Sequence, residues 1–116
     1  MQYLLLIYSD ETGWGRVSEA EQLRWIGEYQ AFTEGIQSSG QYKAGQRLEP
    51  TTKARTVRVR DGKTLTTDGP FAETAEQLGG FFWVEAKDDA EAAAIAARCP
   101  AARHGTVEVR PIYVTG

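Results

Sequence analysis

Apolar and polar positions follow different spacings along the chain, and each spacing predicts a type of element. Residues 3–8 are apolar on both alternating faces, which is typical of a central strand that is covered on both sides. Within residues 18–39, Ser18 and Glu21 form a capping box, and Gly40 follows as a stop signal. The apolar stripe of this segment is Trp25, Tyr29, Phe32 and Ile36. The first third of the chain therefore predicts a strand and then a long amphipathic helix.

The middle of the chain predicts strands joined by turns. Residues 41–48 favour a short strand, and residues 56–60 and 63–66 flank the pair Asp61-Gly62. An Asp-Gly pair between β-prone segments is a strong hairpin signal, because both turn residues need positive φ angles. This pattern predicts a β-hairpin.

The last third repeats the order of strand, helix and strand. Residues 72–78 favour one or two helical turns, and residues 81–86 favour a buried strand in which Trp83, like Trp25, belongs to the core. Asp88 with Glu91 caps a second helix, and Pro100 ends it. A final strand follows at residues 106–111.

This order of elements predicts the architecture. Two β-α-β units with a hairpin between them favour a single α+β sandwich domain over residues 1–116, with an antiparallel sheet and both helices on one side. The other side of the sheet still presents apolar residues to water. A second copy of the chain is the simplest cover, so we expect a homodimer packed sheet to sheet.

Composition narrows the possible partners and location. The 116 residues carry a net charge of -3, which argues against a nucleic-acid footprint and against a polybasic membrane patch. The apolar run at residues 3–8 is far shorter than a membrane span, and Cys99 is the single cysteine. We expect a cytoplasmic protein. One histidine and one cysteine make a zinc cluster improbable, so no metal and no cofactor are expected.

The densest polar patch is TTDGPFAET, at residues 66–74. Turn chemistry accounts for each residue type there, with Asp68 capping a turn or a short helix near Pro70. The alternative places Asp68 at a strand end, facing a pocket, as a base or a hydrogen-bond anchor. His104 favours a solvated turn, and whether it joins a pocket stays open; Trp14 favours a pocket lid or a dimer contact.

Several motifs together resemble one known family. They are DGPFAET at residues 68–74, EQLGGF at 76–81, TVEVRP at 106–111, AGQRL at 44–48 and the opening run at 3–10. These runs are similar to the YCII-related proteins, in particular the branch named for its Asp-Gly-Pro-Phe motif. The resemblance implies a ferredoxin-like domain that pairs into a dimeric α/β barrel.

The resemblance implies less about chemistry. A few relatives in the wider family are dehydrochlorinases or similar lyases on aromatic compounds, and they use a His-Asp pair. The predicted helix at residues 18–39 contains no histidine, and Gln41 stands where the branch often has one. Only Asp68 therefore corresponds to a site residue of the family. Members of the branch often occur beside sigma factors of the extracytoplasmic-function type, which implies a regulatory role as an alternative.

The sequence thus favours a homodimeric protein with a pocket for an unidentified small molecule, and it leaves open whether the protein is an enzyme. A lyase or hydrolase would use Asp68 as its catalytic or anchoring group. Residues near strand ends or on the motif are the candidate neighbours, namely Tyr8, Arg47, Phe71 and Arg110. The alternative is a non-catalytic ligand-sensing or interaction module linked to a sigma factor.

Overall fold

A computed structural model describes residues 1–114 of the chain. Its strands are β1 (Gln2–Ser9), β2 (Tyr42–Arg47), β3 (Arg55–Arg60), β4 (Lys63–Asp68), β5 (Gln77–Glu85) and β6 (Thr106–Pro111). Its helices are α1 (Glu19–Ser38), α2 (Asp89–Arg98) and α3 (Ala101–His104), and two short 3-10 helices lie at Gly13–Arg16 and Thr51–Lys53.

Four of these strands form one antiparallel sheet, in the order β2-β5-β1-β6. The two central strands, β1 and β5, are neighbours, and the edges are β2 and β6. Two β-α-β units interleaved in this way have the topology of a ferredoxin-like fold. The predicted α+β fold with an antiparallel sheet is confirmed.

The core lies between the sheet and the helices. Tyr3, Leu5 and Ile7 alternate along β1 and are buried on the helix side, where Ile36 of α1 and Ile95 of α2 are also buried. Side-chain caps fix both long helices. Ser18 Oγ accepts a hydrogen bond from the Glu21 N–H at 3.1 Å, and Asp88 Oδ1 accepts one from the Glu91 N–H at 2.9 Å. No described helix has both the length and the apolar character needed to cross a membrane.

The other side of the sheet, here called the open face, carries no helix. The strand register pairs Leu4 with Trp83 and Leu6 with Phe81 across β1 and β5. Trp83 is 37% exposed, so the prediction that it belongs to the core is wrong. Its position opposite Leu4 turns it away from the helices, and its Nε1–H donates to Gln2 Oε1 at 2.9 Å.

Strands β3 and β4 form a separate two-stranded sheet, here called the arm (residues 55–68). Asp61 and Gly62 have φ angles of 52° and 74° at its tip, which confirms the predicted hairpin. Each strand of the arm pairs only with the other in the described sheets. The arm is thus an insertion between two neighbouring strands of the main sheet, β2 and β5.

The helical turns predicted at residues 72–78 are wrong. Residues 72–76 form bends and irregular structure, and β5 already begins at Gln77. The side chain of Gln77 holds this segment in place. Its Nε2 donates to the Thr74 carbonyl at 2.6 Å, and its Oε1 accepts from the Glu11 N–H at 3.0 Å. The segment follows these contacts instead of forming helical hydrogen bonds.

Candidate functional site

A groove lies at the base of the arm, where the chain leaves the main sheet and returns to it. It has a volume of about 500 Å³ and is open to solvent. Its lining combines hydroxyl, carboxylate and amide groups from Thr51, Thr52, Asp68, Glu73, Thr74 and Gln77. The groove therefore presents hydrogen-bonding groups to any molecule that enters it.

The floor of the groove is tied to the end of the main sheet. The Glu11 carboxylate accepts hydrogen bonds from the Thr51 hydroxyl and, at 3.0 Å, from the Thr51 N–H. Next to Gln77, which lines the groove, Glu76 Oε1 accepts a hydrogen bond from the Thr106 hydroxyl at 2.7 Å. Each of these contacts joins residues at least thirty positions apart in the chain. They tie Thr51 and the start of β5 to the same end of the sheet.

Asp68 ends β4 on the rim of this groove. Its Oδ1 lies 3.4 Å from Nη2 of Arg55, its register partner, and its side chain is 89% exposed. The turn that follows is held by backbone groups: the Gly69 N–H donates to the Ala54 carbonyl at 2.8 Å, and the Thr56 hydroxyl donates to the Gly69 carbonyl at 2.9 Å. Since no helix begins here, Asp68 is not a helix cap.

Gly69 is required by the shape of this turn. Its φ angle of 96° lies in the left-handed region that side chains with a Cβ rarely adopt. Phe71, two residues further along the chain, is 80% exposed. Pro70 and Ala72 on either side of it line the groove, whereas Phe71 itself does not.

The other candidates lie elsewhere. Tyr8 pairs with Thr106, and Arg110 pairs with Leu4, so both belong to the open face. Arg110 Nη1 lies 3.6 Å from Glu108 Oε1. The five candidates therefore lie in three separate places. Asp68 and the turn that contains Phe71 lie at the groove, Tyr8 and Arg110 lie on the open face, and Arg47 lies on the helix side.

Arg47 ends β2 and contacts an aromatic ring. Its guanidinium carbon lies 5.4 Å from the ring centroid of Trp14, a cation–π distance. The register shift between Tyr42 and Ala44 places Arg47 opposite Gly80, which is buried. Arg47 is thereby directed to the helix side of the sheet, away from the open face.

Sequence reasoning missed an aromatic cluster next to Arg47. The ring centroids of Trp14 and Trp25 are 5.9 Å apart, and those of Trp25 and His104 are 4.4 Å apart. Trp25 Nε1–H donates to Glu21 Oε1 at 2.9 Å, and the Trp14 carbonyl accepts from Gln22 Nε2 at 2.9 Å. The four-residue spacing of Glu21 and Trp25 on a helix was the one local signal of this arrangement.

His104 is stacked instead of lying free in a turn. Its Nε2 lies 3.9 Å from Glu28 Oε2, which also pairs with Arg103. The side chain of His104 is 29% exposed, and it packs on Trp25. His104 does not line the groove around Asp68, so the structure forms no His-Asp pair there.

Two reactive groups behind the cluster are held neutral. Burial raises the pKa of the Tyr29 phenol to about 12, and nearby Cys99 adds to the rise. Burial also raises the pKa of the Cys99 thiol. Both groups keep their protons at neutral pH, so neither is an activated nucleophile. Within residues 1–114, no group of three or more metal-ligating side chains is found.

The fold and the groove define a ferredoxin-like α+β domain with a polar cleft at the base of an inserted hairpin. A family model, the YCII-related domain, matches residues 1–115. The chain belongs to this family.

A curated protein from Rhizobium meliloti (strain 1021) is similar to this chain along nearly its whole length. The two are 37% identical over 114 residues, which cover 97% of this chain and 92% of the relative. That relative is described as an uncharacterised protein. Membership of the Asp-Gly-Pro-Phe branch stays a prediction.

Proposed function

We propose that this protein is a homodimer that binds a small molecule in the groove beside Asp68. The observation that carries the proposal is the groove itself, in which an exposed carboxylate stands among threonine hydroxyls at the end of the sheet. Carboxylate and hydroxyl oxygens accept hydrogen bonds from hydroxyl or amine groups of a ligand. Exposed Phe71 stands in the chain between two lining residues, Pro70 and Ala72, and an aromatic surface close to the groove suits a ligand with an aromatic ring.

The exposed surface supports the homodimer. The chain exposes 8126 Å², whereas a monomer of this mass typically exposes about 6,300 Å². The excess is roughly twice the area that one partner buries in a standard interface. The open face supplies apolar area for such an interface, since Leu4, Leu6, Phe81 and Trp83 lie together on it.

Two roles are compatible with this site. In an enzyme of the lyase or hydrolase type, Asp68 would act as base or charged anchor. In a non-catalytic sensor linked to a sigma factor, ligand binding alone would be the function. The second role is favoured by one observation: the charged partner of Asp68 is Arg55, and the only histidine of the chain stacks on Trp25. The single cysteine, Cys99, is a buried free thiol, which supports a cytoplasmic location.

A thermal-shift screen tests the proposal, using phenolic and halogenated aromatic compounds as probes. A compound at a hundred times its Kd stabilises the folded state by about 2.7 kcal/mol. We expect Asp68→Asn to fold like the wild type and to lose this shift, because Asn keeps an acceptor oxygen and lacks the charge. If Asp68→Asn retains every shift, the carboxylate is not the anchor.

Turnover separates the two roles. Binders from the screen are incubated with the protein, and products are followed by mass spectrometry and halide release. Product formation that disappears in Asp68→Asn supports the enzyme. Binding without product formation supports the sensor.

A further inference from the structure

The two faces of the arm differ in charge beyond its base. The register of β3 and β4 places Val57, Val59, Thr64 and Thr66 on one face, whose base carries the Arg55–Asp68 pair. The opposite face carries Arg58, Arg60, Lys63 and Leu65, with Thr56 and Thr67. The two valines and two threonines of the first set are here called the uncharged face, and the second set is called the cationic face. A hairpin with one uncharged and one cationic face has the pattern of an element that packs on one side.

Little in the described chain covers the uncharged face. Val57 is 58% exposed and Val59 is 59% exposed, although both are β-branched residues in a paired strand. A single two-stranded hairpin is at best marginally stable in water. The radius of gyration is 16.3 Å, whereas a compact chain of this length has about 13.4 Å. The arm therefore projects and lacks the packing that such a hairpin needs.

Charge indicates what packs there. The arm has four basic and two acidic residues, and the whole chain has a net charge of -3, so the rest of the chain carries -5. A second copy of the chain therefore attracts the arm as a whole, while the valine and threonine side chains of the uncharged face make the contact.

We infer that the arm of each subunit docks through its uncharged face on the second copy and that this docking completes the ligand groove. The inference rests on the proposed homodimer. Ligand sites typically bury most of a small molecule, whereas this groove is open and its Asp68 side chain is 89% exposed. The groove lies at the base of the arm, so an arm held against the partner brings partner surface to the open side of the groove.

Photo-crosslinking tests the docking. p-Benzoylphenylalanine is placed at Val59 on the uncharged face, or at Leu65, which is 50% exposed on the cationic face, as the matched control. We expect irradiation to produce covalent dimer from the Val59 variant and little from the Leu65 variant. A dimer that forms no crosslink from Val59, or forms it equally from both positions, overturns the docking.

Thiol reactivity tests the completed groove. Ala72→Cys introduces an exposed thiol in the groove, while Cys99 stays buried and unreactive. We expect alkylation by iodoacetamide to be about tenfold faster when Val57→Glu and Val59→Glu are added, because the undocked arm leaves the groove open. Leu65→Glu is the control and should leave the rate unchanged. Equal rates in all three proteins overturn the claim that the partner completes the groove.

The mass in solution distinguishes failure of this inference from failure of the proposed function. Sedimentation equilibrium of the unmodified chain reports the homodimer without reference to the arm. A dimeric mass with no crosslink from Val59 rejects the docking of the arm on the partner and remains consistent with the sheet-to-sheet dimer. A monomeric mass rejects both.

Discussion

Replacing Leu4 by glutamate separates dimer formation from folding. Leu4 is half-buried on the open face, between Trp83 on one neighbouring strand and Arg110 on the other. In the monomer, a glutamate there stands directly across from Arg110. Opposite charges at such a position contribute about 0.2–1 kcal/mol, which offsets part of the lost apolar contact. The fold of the single chain should therefore survive the substitution.

The same substitution should be severe for a sheet-to-sheet dimer. Full burial of a leucine contributes about 1.5–3 kcal/mol, so burying the half of Leu4 that the monomer leaves exposed contributes about 0.8–1.5 kcal/mol. A twofold axis places the substitution in the interface twice. The dimer then loses about 1.5–3 kcal/mol, which raises its dissociation constant roughly 10- to 10²-fold. Burial of the new carboxylates increases this loss further.

Sedimentation equilibrium at micromolar concentration measures the effect. We expect the wild type at twice 12.8 kDa and Leu4→Glu at 12.8 kDa, with similar circular dichroism. Leu23→Glu is the matched control, because Leu23 is 64% exposed on α1. If Leu23→Glu dissociates the dimer and Leu4→Glu does not, the interface uses the helices and the assignment of the open face is wrong.

Three further predictions concern stability. Gly62→Val should cost on the order of 1 kcal/mol in thermal unfolding, because valine is strained at the positive φ of the arm's turn; unchanged stability would contradict this. Gly105→Ala should cost about 1–3 kcal/mol in urea unfolding, since the new Cβ would lie 2.2 Å from the Tyr8 carbonyl oxygen. A smaller loss would show that the start of β6 moves away from β1 at little cost. The hydrogen bond from Tyr3 to Asp89 raises the Tyr3 pKa from 10.0 to about 12, so its stabilisation should be complete below pH 10 and lost as pH rises toward 12. Tyr3→Phe should lack that alkaline loss.

Local patterns in the sequence were sufficient for most elements. The spacing of Trp25, Tyr29, Phe32 and Ile36 predicted α1, and Asp61-Gly62 predicted the arm. These signals are local because helix periodicity and turn geometry depend on residues a few positions apart. The antiparallel sheet followed from the order of the elements.

Features that depend on distant contacts were missed. Pro70 and Glu73 are typical of a helix start, yet Gln77 bonds to Glu11 and the chain stays irregular there. Strand ends predicted Arg47 as a site residue, but the register shift in β2 turns it to the helix side. No local pattern reports which distant side chain occupies a given face.

The aromatic cluster and the groove illustrate the same limit. Trp14, Trp25 and His104 meet although up to ninety residues separate them in the chain. Asp68 was correctly expected at a strand end, whereas Thr51 comes to the same groove through its hydrogen bonds to Glu11. The polar motif indicated one wall of the groove, and only the fold reveals the other.

The most direct test of the proposed ligand site is a chemical-shift map of ¹⁵N-labelled protein, titrated with the strongest compound from the thermal-shift screen. We predict that the largest backbone shifts fall at Thr51, Asp68, Thr74 and Gln77, which line the groove, and that Asp68→Asn removes them. Shifts centred on Trp14, Trp25 and His104, with the groove residues unmoved and Asp68→Asn without effect, would contradict the proposal that this groove binds the ligand.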